Sequence, residues 1–146
     1  MKIVKGLLDY NKPWTLPDIY LFTGNPIINS RGRIVMGRGA ARQVRDTYPG
    51  VDKELAKAPG EYIKWVLLAP RMYLGWIKVK NHWSSVADLD LIEKSFKILN
   101  KLASYDKMKN VKFHCNYPGI GYGKLSYNSV NKRLVGLVDN IILYKE

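Results

Sequence analysis

Two short segments carry the residue types best suited to chemistry: Met36-Gly37-Arg38-Gly39-Ala40-Ala41 and Pro118-Gly119-Ile120-Gly121-Tyr122-Gly123. Each offers a backbone poor in side chains, and each runs toward a helix signal. At a helix N-terminus the first N–H groups lack internal partners and the dipole presents its positive end. A phosphate gains from both. Glycine suits such loops because the anion must approach the backbone closely and because nest-like turns use positive φ. One glycine cluster is more often a tight turn; two in one small basic chain point to a phosphate-bearing ligand. Neither segment continues as the Gly-Lys-Ser/Thr of a P-loop, and the first strand carries no dinucleotide fingerprint.

Such loops need a scaffold. Residues 2–8 read as a first strand and residues 18–24 as a second, ending at a glycine. Residues 25–39, rich in Gly, Asn and Arg, read as a long loop. A helix over residues 40–48 is stopped by Pro49-Gly50, and residues 52–58 add a short second helix. Residues 62–69 and 72–80 are β-rich runs joined at Pro70-Arg71. The apolar stretch Val66-Leu67-Leu68-Ala69 is the pattern of a strand covered on both faces. In the next run Tyr73, Gly75, Ile77 and Val79 alternate with Leu74, Trp76, Lys78 and Lys80, so its two faces differ. Residues 86–104 carry the clearest helical period, with Leu89, Ile92, Phe96, Leu99 and Ala103 on one face. Asp88 and Asp90 favour its first turn. Residues 111–116 read as a strand. Residues 126–138 read as the last helix, striped by Val130, Leu134, Leu137 and Val138. Residues 140–144 read as the last strand. Alternating strands and helices predict an α/β layered sheet, and ligands of such sheets sit beyond the carboxyl ends of the strands.

The 146 residues suit one compact domain, and a composition 47% hydrophobic and 25% charged supports an ordinary core. Cys115 is the single cysteine; it forms no internal disulfide, and its apolar surroundings predict a buried thiol. The apolar run at the N-terminus is too short for a signal region or a membrane span, so a cytoplasmic protein, of the cell or of an infected host cell, is expected; a monomer is expected as well. The net charge of +12 favours anionic partners, whether nucleotides, nucleic acid or anionic surfaces, and also fits a merely lysine-rich surface. No His/Cys/Asp grouping has metal-ligand spacing, so neither a metal nor a cofactor is expected.

The order of elements and the glycine segments together resemble the macro domain family over most of the chain. Val4-Lys5-Gly6-Leu7-Leu8 is similar to the opening strand of the branch holding ADP-ribose-1''-phosphate phosphatases and terminal ADP-ribose glycohydrolases. Met36-Gly37-Arg38-Gly39-Ala40-Ala41 is similar to that branch's Met-Gly-x-Gly-Ile-Ala loop. Pro118-Gly119-Ile120-Gly121-Tyr122-Gly123 is similar to its second loop, which in the family wraps the diphosphate and distal ribose. Gly24-Asn25-Pro26-Ile27-Ile28-Asn29 is similar to small macro proteins of phages and bacteria. The resemblance implies a three-layer α/β/α fold, a mixed sheet of about six strands, a single domain over residues 1–146 and an ADP-ribose cleft. It implies that Asn25 or Asn29 faces the distal ribose. Met36, Gly37, Arg38, Gly39 and Ala40 on one side, and Pro118, Gly119, Ile120, Gly121, Tyr122 and Gly123 on the other, would hold the diphosphate, with Tyr122 covering it. Tyr144, at the end of the last strand, would approach the adenine, or else be a packed strand-end aromatic.

Departures from the family pattern bear on catalysis. Family members often carry an acid right after the first strand's glycine, where it reads the adenine amino group. Leu7 holds that place here, and Asp9 lies two residues on. The glycohydrolase branch uses a lysine that forms a covalent adduct with the distal ribose, and Lys80 falls at the corresponding place. That branch also uses an aspartate in the second loop, where this chain reads Gly123-Lys124-Leu125-Ser126. A lysine nucleophile must lose its proton and be helped by a general base, so the missing acid argues against that mechanism. The Gly-Gly-Val-Asp loop of other family hydrolases is absent too. For a phosphatase the catalytic candidates are Lys80, His82 and Asn25. As a histidine, His82 offers an acid or a base, and a surface histidine fits its loop equally. His114, alternating within a strand, reads as structural.

The expectation is a protein that binds ADP-ribose or a close derivative, with hydrolysis of a terminal phosphate left open. Two alternatives stand beside it. One is a non-catalytic reader or sponge of NAD-derived nucleotides, favoured by the missing aspartate. The other is a nucleic-acid binder, suggested by the charge and by Trp65, Trp76 and Trp83. Base stacking would need those rings exposed, whereas Trp65 and Trp76 lie in strand-like runs and are expected to be buried.

Overall fold

The computed structural model describes residues 1–11, 17–68 and 72–146. Six strands form one sheet: β1 (Lys2–Lys5), β2 (Ile19–Gly24), β3 (Ile63–Leu68), β4 (Met72–Lys78), β5 (Phe113–Asn116) and β6 (Ile141–Lys145). Their order is β1-β6-β5-β2-β4-β3, parallel throughout except for the antiparallel pair β3–β4. Among the described residues, four α-helices accompany the sheet: α1 (Gly39–Thr47), α2 (Val51–Lys57), α3 (Leu89–Ala103) and α4 (Tyr127–Arg133). This is the α/β sheet that the alternation predicts, with the mixed six strands that the resemblance implies. No helix among the described residues is long and apolar enough to cross a membrane.

Successive strand residues point to opposite faces, so each strand feeds two cores. On one face Phe22, Leu74 and Trp76 pack with Ala41 and Val44 of α1 and Leu55 of α2. On the other, Leu21, Ile77, Phe113 and Leu143 pack with Ile92, Phe96 and Leu99 of α3 and Val130 of α4. The apolar stripe predicted for α3 is the stripe that is buried. Its first turn is capped by Asp88, whose carboxylate accepts from the Leu91 N–H at 3.1 Å. Cys115 is fully buried in the second core, as its surroundings predict.

Several expectations need correction. β1 stops at Lys5 rather than residue 8, because Gly6 turns the chain at φ +116°. The last helix ends at Arg133; Gly136, at φ +81°, belongs to the turn that follows. Leu137 and Val138 still pack on the core, from irregular chain. The apolar run 66–68 is not doubly covered: β3 is the edge of the sheet, and Leu67 is 60% exposed. Its neighbour β4 is the covered strand, with Leu74, Trp76 and Ile77 fully buried. Of the two strand tryptophans, Trp76 is fully buried and Trp65 is only half-buried. Ala69 and the junction at Pro70-Arg71 lie outside the described residues.

Candidate functional site

The sheet divides at its centre. β2 and β5 pair at Ile19↔Phe113, Tyr20↔His114 and Leu21↔Cys115, and the ladder ends there. Beyond it, β2 stays with β4 alone and β5 with β6 alone. The chain leaving β2 runs to α1 on one face, whereas the chain leaving β5 runs to α4 on the other. Such a reversal at the carboxyl ends of parallel strands opens a crevice. Here it holds a cavity of about 510 Å³, and both glycine segments line it.

Residues 37–41 form one wall. Arg38, the residue before α1, is extended and makes no side-chain cap. The first N–H groups of α1 therefore keep their donors for the cavity. Gly39 turns at φ +57° and α1 follows at once. Upstream, Gly24 is fixed by packing: a Cβ there would lie 2.4 Å from Trp76 Cδ1. That indole donates to the Asn25 carbonyl at 3.0 Å. Asn25 lines the cavity, yet its amide is engaged within the loop. Nδ2 donates to the Val35 carbonyl at 3.1 Å, and Oδ1 accepts from the Ile27 N–H at 2.9 Å.

Residues 119, 120, 122 and 123 form the opposite wall. Gly119 has φ +79°, where residues with a side chain are strained, and a Cβ there would have to displace the tip of Ile92, whose Cδ1 lies at 2.7 Å. Gly121–Gly123 make a 3-10 turn, and the Gly123 carbonyl accepts from the Ala87 N–H at 3.0 Å. The expected helix N-terminus is not at this loop. α4 starts at Tyr127, and its first turn is already capped by Ser126, whose Oγ accepts from Ser129 N–H at 3.2 Å. The second loop thus presents a glycine turn, not a helix end. Tyr122, 63% exposed, reaches toward the first loop, with its ring centroid 5.9 Å from the Arg38 guanidinium carbon.

Lys80 lines the cavity just past β4, and its Nζ donates to the Trp83 carbonyl at 3.2 Å. Partial burial, and secondarily the nearby Arg38 charge, hold its pKa below that of an ordinary lysine. Among the described residues, no carboxylate lines the cavity.

The other predicted site residues lie elsewhere. Met36 is buried in the core under α1. Asn29 is exposed, and its Oδ1 accepts from the N–H groups of Arg31 and Arg33, which organises a turn. Pro118 and Gly121 flank the wall without lining it. Leu7 is 71% exposed and outside the cavity, and Asp9 accepts from the Asn11 N–H. His82 is exposed, and its Nδ1 pairs with Ser84 Oγ at 2.7 Å. Tyr144 does not line the cavity either; its hydroxyl pairs with His114 Nδ1 at 2.8 Å. His114 also pairs with Asp18 at 2.9 Å and stacks on Tyr20, a packed structural role as its strand position suggested.

Two lining residues carry polar chemistry that sequence reasoning passed over, Thr23 and Asn116, and Trp83 and Gly24 line the cavity beside them. Thr23 and Asn116 stand at strand carboxyl ends, the one signal available for them. Trp83 was considered only as a stacking residue.

Neither a protein-family model nor a curated protein matches the chain. Solved structures do. The macrodomain of Mycobacterium tuberculosis DarG superposes with TM-score 0.70 at 21% identity, over 99% of this chain and 97% of that one. The macrodomain of Thermus aquaticus DarG gives 0.71 at 19% identity, over 99% and 97%. Thermosipho africanus DarTG in complex with ADP-ribose gives 0.69 at 16% identity, over 88% of this chain and 38% of that one. The fold of the chain is the macrodomain fold.

Proposed function

We propose that the central cavity binds ADP-ribose or a close phosphorylated derivative. The observation that carries this reading is the uncapped N-terminus of α1 facing a glycine turn across a cavity of about 510 Å³. Donors on two sides suit a diphosphate, which carries oxygens on two phosphorus atoms. The ADP-ribose in the Thermosipho africanus DarTG complex supports the choice of ligand. In this reading residues 37–41 on one wall and 119, 120 and 123 on the other hold the diphosphate, and Tyr122 covers it. Lys80 and Arg38 supply positive charge for a terminal phosphate, as in ADP-ribose-1''-phosphate. Lys80 is the remaining candidate for catalysis in the cavity. Its depressed pKa favours the neutral amine that a nucleophile needs, but among the described residues no lining carboxylate stands by as a general base. Binding is therefore the primary activity, with the protein acting as a reader or sponge unless Lys80 supplies turnover.

Calorimetric titration with ADP-ribose tests this. Saturable binding is expected, and its loss in Gly37→Glu, where a Cβ meets nothing within 4 Å, would place the ligand at this wall. Silence of the wild-type chain at high micromolar ligand would end the reading. Phosphate release from ADP-ribose-1''-phosphate, lost in Lys80→Ala with binding retained, would add a phosphatase activity.

Trp83 favours one second reading. It is 45% exposed at the cavity and tilted against His82 at 5.1 Å, so its ring is open to a stacking base. Binding of single-stranded nucleic acid that is lost in Trp83→Ala, together with no response to ADP-ribose, would promote that reading over the first.

A further inference from the structure

The side chain of Asn116 lies across the split between β2 and β5. Its Oδ1 accepts from the Thr23 N–H at 3.0 Å and lies 3.3 Å from the Tyr10 hydroxyl, whose hydrogen goes to the Leu21 carbonyl at 2.8 Å. Its Nδ2 stands 2.9 Å from Thr23 Oγ1. A backbone N–H only donates, so the end of the amide that meets Thr23 N–H is the oxygen and the other is the NH2 group. An NH2 group only donates. Thr23 Oγ1 is therefore the acceptor in that bond, and its own hydrogen is directed elsewhere. Thr23 and Asn116 both line the cavity.

We propose that Thr23 is a ligand-reading residue, its hydroxyl turned by Asn116 so that it donates a hydrogen bond to a phosphate or ribose oxygen of the bound nucleotide. Asn116 is the positioning residue of the pair. It takes the place of the backbone rung missing after Leu21↔Cys115, and it fixes which way the Thr23 hydrogen can point. A ligand oxygen at the cavity floor meets a donor already oriented, with no rotor left to order on binding. The choice of ligand rests on the ADP-ribose reading; the orientation of the hydroxyl does not.

The test is calorimetric titration of the full chain and its variants with ADP-ribose, ADP and pyrophosphate, with thermal unfolding of each variant alongside. Thr23→Val keeps the shape and removes the hydroxyl; Thr23→Ser keeps the hydroxyl. Asn116→Asp puts an acceptor where the NH2 group stood, so the Thr23 hydrogen turns toward residue 116 and away from the ligand. Expected are a roughly tenfold to hundredfold weaker Kd for Thr23→Val, affinity near wild type for Thr23→Ser, and weakening for Asn116→Asp. In the double variant the losses should fall short of multiplying, because Asn116→Asp has already withdrawn the hydrogen. A Thr23→Val loss seen with ADP-ribose alone assigns the contact to the distal ribose. A loss shared with ADP or pyrophosphate assigns it to phosphate. Thr23→Val binding as tightly as wild type, or losses that multiply fully, overturns the proposal. Should Thr23→Val fail to fold, Asn116→Asp decides: weakening that vanishes in high salt is charge repulsion and overturns it, and weakening that persists supports it. A wild-type chain that binds ADP or pyrophosphate but not ADP-ribose removes the ADP-ribose reading and leaves the Thr23 comparison to be made with that ligand. A chain that binds none of the three overturns both.

Discussion

Lys80 meets the cavity from the chain just past β4, and both partial burial and the Arg38 charge favour loss of its proton. A lowered pKa means a larger neutral fraction at any given pH, so Lys80 should react with an acylating reagent faster than exposed Lys97. Competitive labelling read by mass spectrometry checks this. Arg38→Gln should slow the reaction at Lys80, and bound ADP-ribose should slow it further; equal rates at Lys80 and Lys97 would contradict the assignment. Gly24 is a second residue with a sharp consequence. Gly24→Ala forces a methyl against the Trp76 indole and disturbs its bond to the Asn25 carbonyl. A loss of about 1–3 kcal/mol is expected in denaturant unfolding. At this scale the sequence was read unevenly. Lys80 and four of the five motif glycines, all but Gly121, line the cavity, because glycine announces turns that other residues avoid. Asn25 shows the opposite case. An asparagine at a loop start can face a ligand or tie its own backbone, and residue type does not distinguish the two.

Among elements, α3 was the most legible, since its period and its cap both lie in local sequence. Asp88→Ala should lower stability by about 1 kcal/mol in urea unfolding. The change should also reach the cavity. Ala87, one residue before the cap, lines the cavity and bonds the second glycine loop, so weaker ADP-ribose binding is expected alongside. The two glycine segments look alike in sequence but act differently. The first runs directly into α1; the second closes its own 3-10 turn, with α4 capped separately by Ser126. β3 was the least legible element. An apolar run fits a buried strand, but whether a further strand covers its edge depends on the order of strands, which no local window contains. Thr23 and Asn116 escaped notice for the same reason: their meeting depends on where the β2–β5 ladder stops.

For the whole molecule, the buried thiol offers a measure of global opening. Burial pushes the Cys115 pKa well up and shields its sulfur from reagents. An aromatic disulfide reagent should therefore label the native protein only as fast as it opens, and at once in denaturant. Fast native labelling would mean that the sheet opens locally at β5. The excess of positive charge acts at this scale too. Part of the attraction for any polyphosphate is long-range, so salt should weaken ADP-ribose binding through slower association more than through faster release. Stopped-flow kinetics at two ionic strengths separates the two rates.

The sheet is a plate with a notch at its middle. Every other seam between neighbouring strands is bonded along the run the two strands share, whereas the β2–β5 seam ends after three residue pairs, with one asparagine side chain set at its tip. Under load a plate tears from its notch. Pulled apart across that line, the two halves should separate there first, and Asn116 would act as the rivet that delays the tear. A small molecule seated between the two glycine walls would span the same gap from above, so a filled notch should need a greater force to open than an empty one.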